Sequence, residues 1–323
     1  MTVVIISTDG DQSTYNVIDW LHHFKIKVHL IDDKNRLHVN SVQLSKNNHL
    51  RFEYDNKKID LMEIHSFWHR RGNISIAFPA IKYLEDFDFE KQFVKHLDQE
   101  QRKLKEYFNF EFRQKKHLGN IFQTDINKLI VLEKAQRLGI AIPDTLITSN
   151  KEELLNFKSK YQSIICKPLS DGLMAHDLEI GIITYYTNII SDDNLKILNN
   201  TFTVSLFQEK IEKKYELRIF FIDGDFYTMA IFSQEDTKTS VDFRKYNYVK
   251  PNRTVPYNLP VSVKDMLKVL MRELNLNTGS IDMAVTLKND YVFFEINPIG
   301  QFGMTSYPCN YYLEKKIANY LSN

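Results

Sequence analysis

The chain has 323 residues, enough for two or three compact lobes rather than one small core. Hydrophobic residues make up 43% and charged residues 26%, which excludes bulk disorder. Lys and Arg total 42 against 41 Asp and Glu, for a net charge of +1, so the global basic excess of a duplex-DNA binder is absent and no nucleic-acid partner is expected.

Met1 to Gln12 carry only a short apolar run, without a basic n-region or a small-residue cleavage site. The run Val3-Val4-Ile5-Ile6 reads as a strand covered on both faces, not a signal peptide. Asp9-Gly10-Asp11 ends it. Ser13 then caps a predicted helix to about Phe24, with Val17, Ile18, Trp20 and Leu21 on its apolar face. Val28 to Ile31 is a second strand, and strand–helix–strand at this spacing predicts a parallel α/β lobe. Short strands continue through Val42, Phe52 and Ile59 to Ser66-Phe67-Trp68. A helix over about Phe89 to Tyr107 follows, and a boundary is expected near Asn120.

Asp125 can cap the next helix, whose periodic residues are Leu129, Leu132, Ala135 and Leu138. Gly139 stops it. Ser163 to Lys167 is a strand ending in a loop, and Phe207 to Ile211 reads as a crossing between lobes. Asp223-Gly224 is a type I′ turn signal between two strands. A helix over about Ser262 to Leu274 precedes a second hairpin, and a last helix spans about Tyr311 to Leu321. The two cysteines, Cys166 and Cys309, lie far apart and form neither a disulfide framework nor a zinc site, so a reducing, cytoplasmic compartment is expected. No window approaches 18 apolar residues, so no membrane partner is expected.

Chemistry concentrates in the second hairpin. A two-residue loop, Lys288-Asn289, would pair Leu287 with Asp290 and place Asp282 directly opposite Glu295. Asn297 then shares the face of Glu295. A slip of one residue breaks this cluster. Facing carboxylates repel unless a cation joins them, and two carboxylates with an amide oxygen suit magnesium, at about 2.1 Å. A wet hairpin face would carry the same residues simply solvated. Pro298 ends the strand, and Gly300 and Gly303 follow in a tight loop able to approach phosphates.

Positive charge is also at hand. Lys167 ends an apolar strand, either snorkelling into water or meeting an anion. Lys128 sits in the first turn of its helix, where a bound anion would relieve its conflict with the macrodipole; a solvated surface lysine is the alternative. Glu216 and Arg218 share a strand face, as a surface ion pair or as ligands of a ribose and a phosphate. Arg244, in Asp242-Phe243-Arg244, is another candidate anion clamp.

Taken in order, these segments resemble the ATP-grasp superfamily: Asn127-Lys128 with Leu-x-x-Ala-x-x-x-Gly-Ile-x-x-Pro-x-Thr ending at Thr145; Cys166-Lys167-Pro168; Gln208-Glu209-Lys210-Ile211 with Glu216-Leu217-Arg218; Asp242-Phe243-Arg244; and Asp282 with Glu295-x-Asn297. The resemblance covers roughly residues 120 to 310. Ser66 to Arg71, Lys167 to Gly172 and Asp242 to Tyr246 narrow it to graspetide peptide macrocyclases, similar to the grasp-with-spasm maturases and the microviridin ligases. It implies an α/β and α+β ATP-grasp fold: a parallel N-terminal pre-ATP-grasp lobe over 1–120, a central lobe over 121–207 and a C-terminal lobe over 208–323.

By position, the resemblance implies that Lys128 and Lys167 bind the phosphates of ATP, that Gln208, Glu209, Lys210 and Ile211 hold adenine, and that Glu216 binds ribose. Asp282, Glu295 and Asn297 would hold Mg2+, expected as two ions. Arg218 and Arg244 would be catalytic, on the γ-phosphate and the substrate carboxylate. The loop after Lys167 has one glycine, Gly172, where many relatives have several, so it is open to the peptide rather than the phosphates.

The implied reaction activates Asp or Glu side chains of a precursor peptide as acyl phosphates and closes them onto Thr, Ser or Lys. A leader segment of that peptide would dock on Phe89–Tyr107 or Asp236–Pro260, whose lysines and arginines suit an acidic core. Trp68-His69-Arg70-Arg71 either faces substrate or serves lobe packing and inter-lobe salt bridges. A homodimer is expected from related ligases. The alternatives are an intermolecular carboxylate–amine ligase and an ATP-binding regulatory module.

Overall fold

A computed structural model of the chain describes residues 1–46, 48–77, 87–170, 174–177, 181–184, 187–234 and 251–323. The chain divides into two units. The first comprises Met1–Thr124, Gln301–Ser306 and Tyr312–Asn323; the second comprises Asp125–Gly300 and Tyr307–Tyr311.

In the first unit, β1 (Thr2–Ile6) leads through α1 (Gln12–His23) to β2 (Lys27–Ile31). An antiparallel sheet, β3 (His38–Gln43), β4 (His49–Tyr54) and β5 (Lys57–Asp60), follows. Then come β6 (Ser66–His69), α2 (Phe87–Arg113) and β7 (Lys116–Leu118). The parallel sheet has the order β2-β1-β6-β7. Val3 to Ile6 are fully buried, as expected of a strand covered on both faces. Phe67 stacks on Phe112 of α2 at 4.5 Å between ring centroids. The helix Leu313–Ser322 returns to this unit, where the Ser66 hydroxyl donates to the Leu321 carbonyl at 2.6 Å.

The N-cap of α1 is Asp11, not Ser13. The Asp11 carboxylate accepts from the Thr14 hydroxyl at 2.6 Å and pairs with buried Arg70, Nε to Oδ2, at 3.4 Å. Arg70 also donates to Gln301 at 3.1 Å and lies over the Phe302 ring at 5.7 Å. Trp68 packs near the same ring. The Trp68–Arg71 segment therefore serves packing and ion pairing inside this unit, and the bridge is internal to it. Burial and the neighbouring Arg71 pull the Arg70 guanidinium down to about 10.

The second unit opens with α3 (Lys128–Arg137), capped by Asn127, whose side chain accepts from the Leu129 and Ile130 N–H groups. Asp125 lies before the cap. Gly139, at φ +78°, ends the helix in the left-handed conformation. Next come β8 (Thr145–Asn150), α4 (Lys151–Lys158), β9 (Ile164–Lys167), the hairpin β10 (Met174–Asp177) and β11 (Gly181–Thr184), β12 (Asn188–Ile189), α5 (Asp192–Ile197) and β13 (Thr201–Glu209). These strands make a sheet of order β12-β9-β13-β8 and the separate two-stranded hairpin.

A five-stranded antiparallel sheet follows: β14 (Lys213–Ile222), β15 (Asp225–Phe232), β16 (Arg253–Tyr257), β17 (Thr278–Thr286) and β18 (Tyr291–Asn297), in the order β16-β15-β14-β17-β18. Asp223 and Gly224, at φ +40° and +106°, make the predicted two-residue turn. One face of the sheet is core. Leu217, Ile219, Ile281, Met283 and Phe293 pack with Val263, Leu267 and Leu270 of α6 (Val261–Glu273) and with Val131, Leu132 and Ala135 of α3. Alternation along the strands leaves the polar residues on the opposite face. Among the described residues, no helix is long and apolar enough to cross a membrane.

Candidate functional site

The polar face of this sheet carries a row across three strands. Arg218 on β14 pairs in register with Asp282 on β17, and Asp282 pairs with Glu295 on β18. Asn297 shares that face, opposite Ser280. Arg218 Nη1 donates to both Asp282 oxygens, at 2.9 and 2.7 Å. Among the described residues, no acceptor meets the buried Arg218 Nε.

The expected face-to-face placement of Asp282 and Glu295 holds, but the expected loop does not. The Thr286 N–H donates to the Asp290 carbonyl, so the loop has three residues, Leu287-Lys288-Asn289, with Asn289 at φ +70°. Val285 pairs with Tyr291 and Met283 with Phe293. On that register Asp282 would meet Phe294, and Glu295 would point into the core. A bulge at Phe294 inserts one residue and restores Glu295 to Asp282. The extra residue in the loop and the extra residue in the strand cancel.

A second bulge lies on β14, where the register shifts between Lys213 and Tyr215. Residues three apart on a regular strand face opposite sides. With Lys214 as the extra residue, Lys213 joins the face of Glu216, and its ammonium reaches the Glu216 carboxylate at 2.9 Å. The Ser233 hydroxyl donates to the same oxygen at 2.9 Å. Glu216 is therefore buried and engaged. Burial raises its pKa, against the opposing pull of Lys213. The Lys213 ammonium also lies over the Phe294 ring, at 5.8 Å. Lys213, Ser233 and Phe294 had no legible role in the sequence, because a bulge within an apolar or mixed strand breaks no pattern.

Lys128 comes to this row from the first turn of α3. Its ammonium lies 3.7 Å from Glu295 Oε2 and donates to the Ser170 carbonyl at 2.8 Å. Ser170 belongs to the loop after Lys167, so Lys128 links the carboxylate row to the end of β9. Lys167 pairs with Leu206, and Gln208 lies two residues further along β13 on the same sheet face. The Gln208 carboxamide is buried and donates to Thr145 Oγ1 at 2.8 Å.

Glu209 uses its side chain locally, accepting from the Asp144 N–H at 3.0 Å. The Lys210 N–H donates to the Ser163 carbonyl at 3.0 Å, and Ile211 follows in the connection to β14. Asp144 also bonds the Tyr161 hydroxyl, and that contact pushes the phenol up to about 12. Arg244 and Gly172 lie outside the described residues, as does most of Asp236–Pro260.

Gly300 makes a close approach of a different kind from the one expected. A Cβ there would lie 2.3 Å from Ser280 Oγ and 3.1 Å from the Asn297 carbonyl oxygen. The glycine lets the chain fold back against β17 just after Asn297. Asn297 Oδ1 accepts from the Ile299 N–H at 3.0 Å, which turns that amide oxygen towards the same bend.

Residues 127–246 match the family model of the ATP-grasp domain of prokaryotic glutathione synthetase. Among solved structures, the macrocyclase MdnC of Microcystis aeruginosa MRC, bound with precursor peptide MdnA, is 27% identical over 100% of both chains, at a TM-score of 0.77. A RiPP-associated ATP-grasp ligase of Chryseobacterium gregarium, in complex with ADP and a leader and core peptide, is 26% identical over 99% of this chain and 95% of that one, at 0.79. The ATP-grasp ligase PsnB, with a precursor variant, Mg and ADP, is 16% identical over 99% and 97%, at 0.70, and shares the fold. No curated protein matches in sequence. Residues 127–246 therefore match an ATP-grasp domain. Along its whole length the chain is similar to the macrocyclase MdnC and to the RiPP-associated ATP-grasp ligase.

Proposed function

We propose that this protein is an ATP-dependent peptide macrocyclase. It activates Asp or Glu side chains of a precursor peptide as acyl phosphates and closes them onto Thr, Ser or Lys of the same peptide. The observation that carries this reading is the row Arg218–Asp282–Glu295, flanked by Lys128, in a chain similar end to end to two peptide-bound ligases.

A carboxylate is a poor acyl donor, so its oxygen first attacks the γ-phosphorus and ADP leaves. A hydroxyl or amine then attacks the acyl carbon, phosphate leaves, and the nucleophile gives up its proton. The protein aligns the reactants and neutralises charge on the transferring phosphoryl group. Lys128 and Lys167 hold phosphate oxygens. Arg218, whose Nε meets no acceptor among the described residues, binds a phosphoryl or carboxylate oxygen. Arg244 takes the corresponding role from its segment. Gln208 to Ile211 hold the base, and Glu216 orients the ribose side of the site.

Asp282, Glu295 and Asn297 offer two carboxylates and an amide oxygen, a hard-oxygen set that fits magnesium. Bound there, Mg2+, as two ions, would supply charge neutralisation between the nucleotide phosphates. The partner is a precursor peptide whose leader docks on the Phe89–Tyr107 helix or the Asp236–Pro260 segment and whose acidic core meets the basic residues of the latter. The protein acts in the cytoplasm as a homodimer, its domains dividing as 1–120, 121–207 and 208–323.

The test is intact-mass spectrometry of a Thr- and Asp/Glu-rich peptide encoded beside this chain, incubated with protein, ATP and magnesium. Loss of one or more waters, absent with Glu295→Ala, is expected. The match to a glutathione synthetase domain favours a second reading, an intermolecular carboxylate–amine ligase. An unchanged peptide mass, with ADP released only when a free amine is added, would establish that reading instead.

A further inference from the structure

Thr145 ends the Pro-x-Thr element of the sequence and has no part in the reaction described so far. It begins β8, in register with Gln208 of β13. Its hydroxyl makes two contacts. One is to the Pro143 carbonyl oxygen at 2.8 Å, and the other is to the Gln208 side-chain nitrogen at 2.8 Å.

The chemistry of these three groups fixes their directions. A carbonyl oxygen only accepts, so Thr145 must donate its one hydroxyl proton to Pro143. Towards Gln208, the Thr145 oxygen can then only accept. The Gln208 atom facing it must be the NH2 group, because the carbonyl end would set acceptor against acceptor. The hydrogen-bond chain thus fixes the orientation of the amide. The consequence is that Gln208 presents Oε1, an acceptor, to whatever shares its face.

Gln208 is buried, lies on the sheet face that carries Lys167, and immediately precedes Glu209-Lys210-Ile211. Among the described residues, no donor meets its Oε1. We infer that Thr145 is a positioning residue for base choice: by holding the Gln208 amide in one orientation, it selects a purine with an exocyclic amino donor over one with an oxo group at the same position. Adenine carries that donor and guanine the acceptor. A site built around one polar group discriminates strongly, because the wrong base leaves a buried acceptor facing another acceptor. The inference rests on the nucleotide-binding reading given above and adds the residue that sets its selectivity.

The experiment measures dissociation constants of ATP and GTP, with magnesium, for the full chain and for Thr145→Val, Thr145→Ser and Gln208→Met. Valine keeps the shape of threonine and removes the hydroxyl, so the amide is free to turn. The preference for ATP over GTP is expected to fall about tenfold in Thr145→Val, with GTP binding improved. Thr145→Ser, which keeps the hydroxyl, should retain the preference. Gln208→Met should lose it, and adding Thr145→Val to that variant should change the ratio no further, since Thr145 acts through Gln208. An unchanged ratio in Thr145→Val, or an equal loss for both nucleotides, overturns the inference while leaving nucleotide binding intact. Should Thr145→Val fail to fold, Gln208→Met decides by itself: an unchanged ratio there also overturns it. Wild-type protein that binds neither nucleotide overturns the nucleotide reading itself.

Discussion

Arg218 holds both oxygens of Asp282 through a single nitrogen, from the neighbouring strand, in the row that continues to Glu295. Lys128 faces Glu295 in the same way at longer range. Two cations thus offset two carboxylates, and the row is close to neutral. On the proposed reading, a divalent ion arriving alone would have to displace these partners, whereas a nucleotide would bring phosphates that take them over. Manganese is therefore expected to bind weakly without nucleotide. Arg218→Gln should tighten it about tenfold in an electron paramagnetic resonance titration, because a nearby like charge is removed. Lys128→Gln should do less, since its contact is longer and shared with Ser170. An Arg218→Gln protein with wild-type manganese affinity would show that the arginine does not guard the carboxylates.

The bulge at Phe294 makes a sharper prediction. Deleting Phe294 removes the extra residue and leaves Glu295 directly after Phe293, still opposite Asp282, so the carboxylate pair proposed to hold the metal is kept. Deleting Lys288 shortens only the loop, beyond the bulge, and leaves the Asp282–Glu295 register alone. Manganese affinity in the presence of ADP should stay within about threefold of wild type in both variants. A loss of more than about tenfold on deleting Phe294 would mean that Phe294 is not the extra residue.

His69 supplies a pH dependence. Burial pulls this histidine down to about 4, and a ring nitrogen meets the Gly72 carbonyl at 3.1 Å. Between about pH 6.5 and 4, the unfolded chain binds a proton that the native state refuses. Stability from this group is therefore full above the unfolded value and is lost as pH falls through that window. The loss amounts to about 3 kcal/mol at its limit. Urea unfolding at pH 7.5 and at pH 5 should show a steeper decline for the wild type than for His69→Gln. Parallel declines would place the acid sensitivity elsewhere.

Most of the fold was legible because its strands are buried, contiguous and separated by clear turn residues. Val3 to Ile6 and the Asp223-Gly224 turn are instances where pattern and structure coincide. The helix caps were less so, since Asp125 and Asn127 are chemically equivalent cap residues two positions apart, as are Asp11 and Ser13. The carboxylate pair was found through two offsetting features. Phe293 and Phe294 are both apolar, so no alternation marks where the strand bulges, and the short loop assumed at Lys288-Asn289 happened to supply the same displacement. The Lys213–Glu216 contact stayed hidden for the same reason. The Thr145 relay was hidden differently: its meaning lies in which partner takes the proton, and residue types alone do not say that.

The helix Leu313–Ser322 closes the first unit, with Leu321 fully buried and Lys315 over the Trp20 ring of α1 at 4.7 Å. On the ribosome, that helix emerges after every strand of both units. At about 5–20 residues per second, the stretch from Thr124 to Leu313 takes roughly 10–40 s to make. Throughout that interval the amino-terminal sheet waits with one of its packing partners unsynthesised, while the carboxylate sheet of the second unit gains its last strand at Asn297, before that helix is made. Vectorial synthesis thus favours completion of the second unit before the first. A premature stop near residue 312 would leave α1 of the first unit bare while every residue of the second unit is present, and the cost of that lesion would be aggregation rather than a missing site residue.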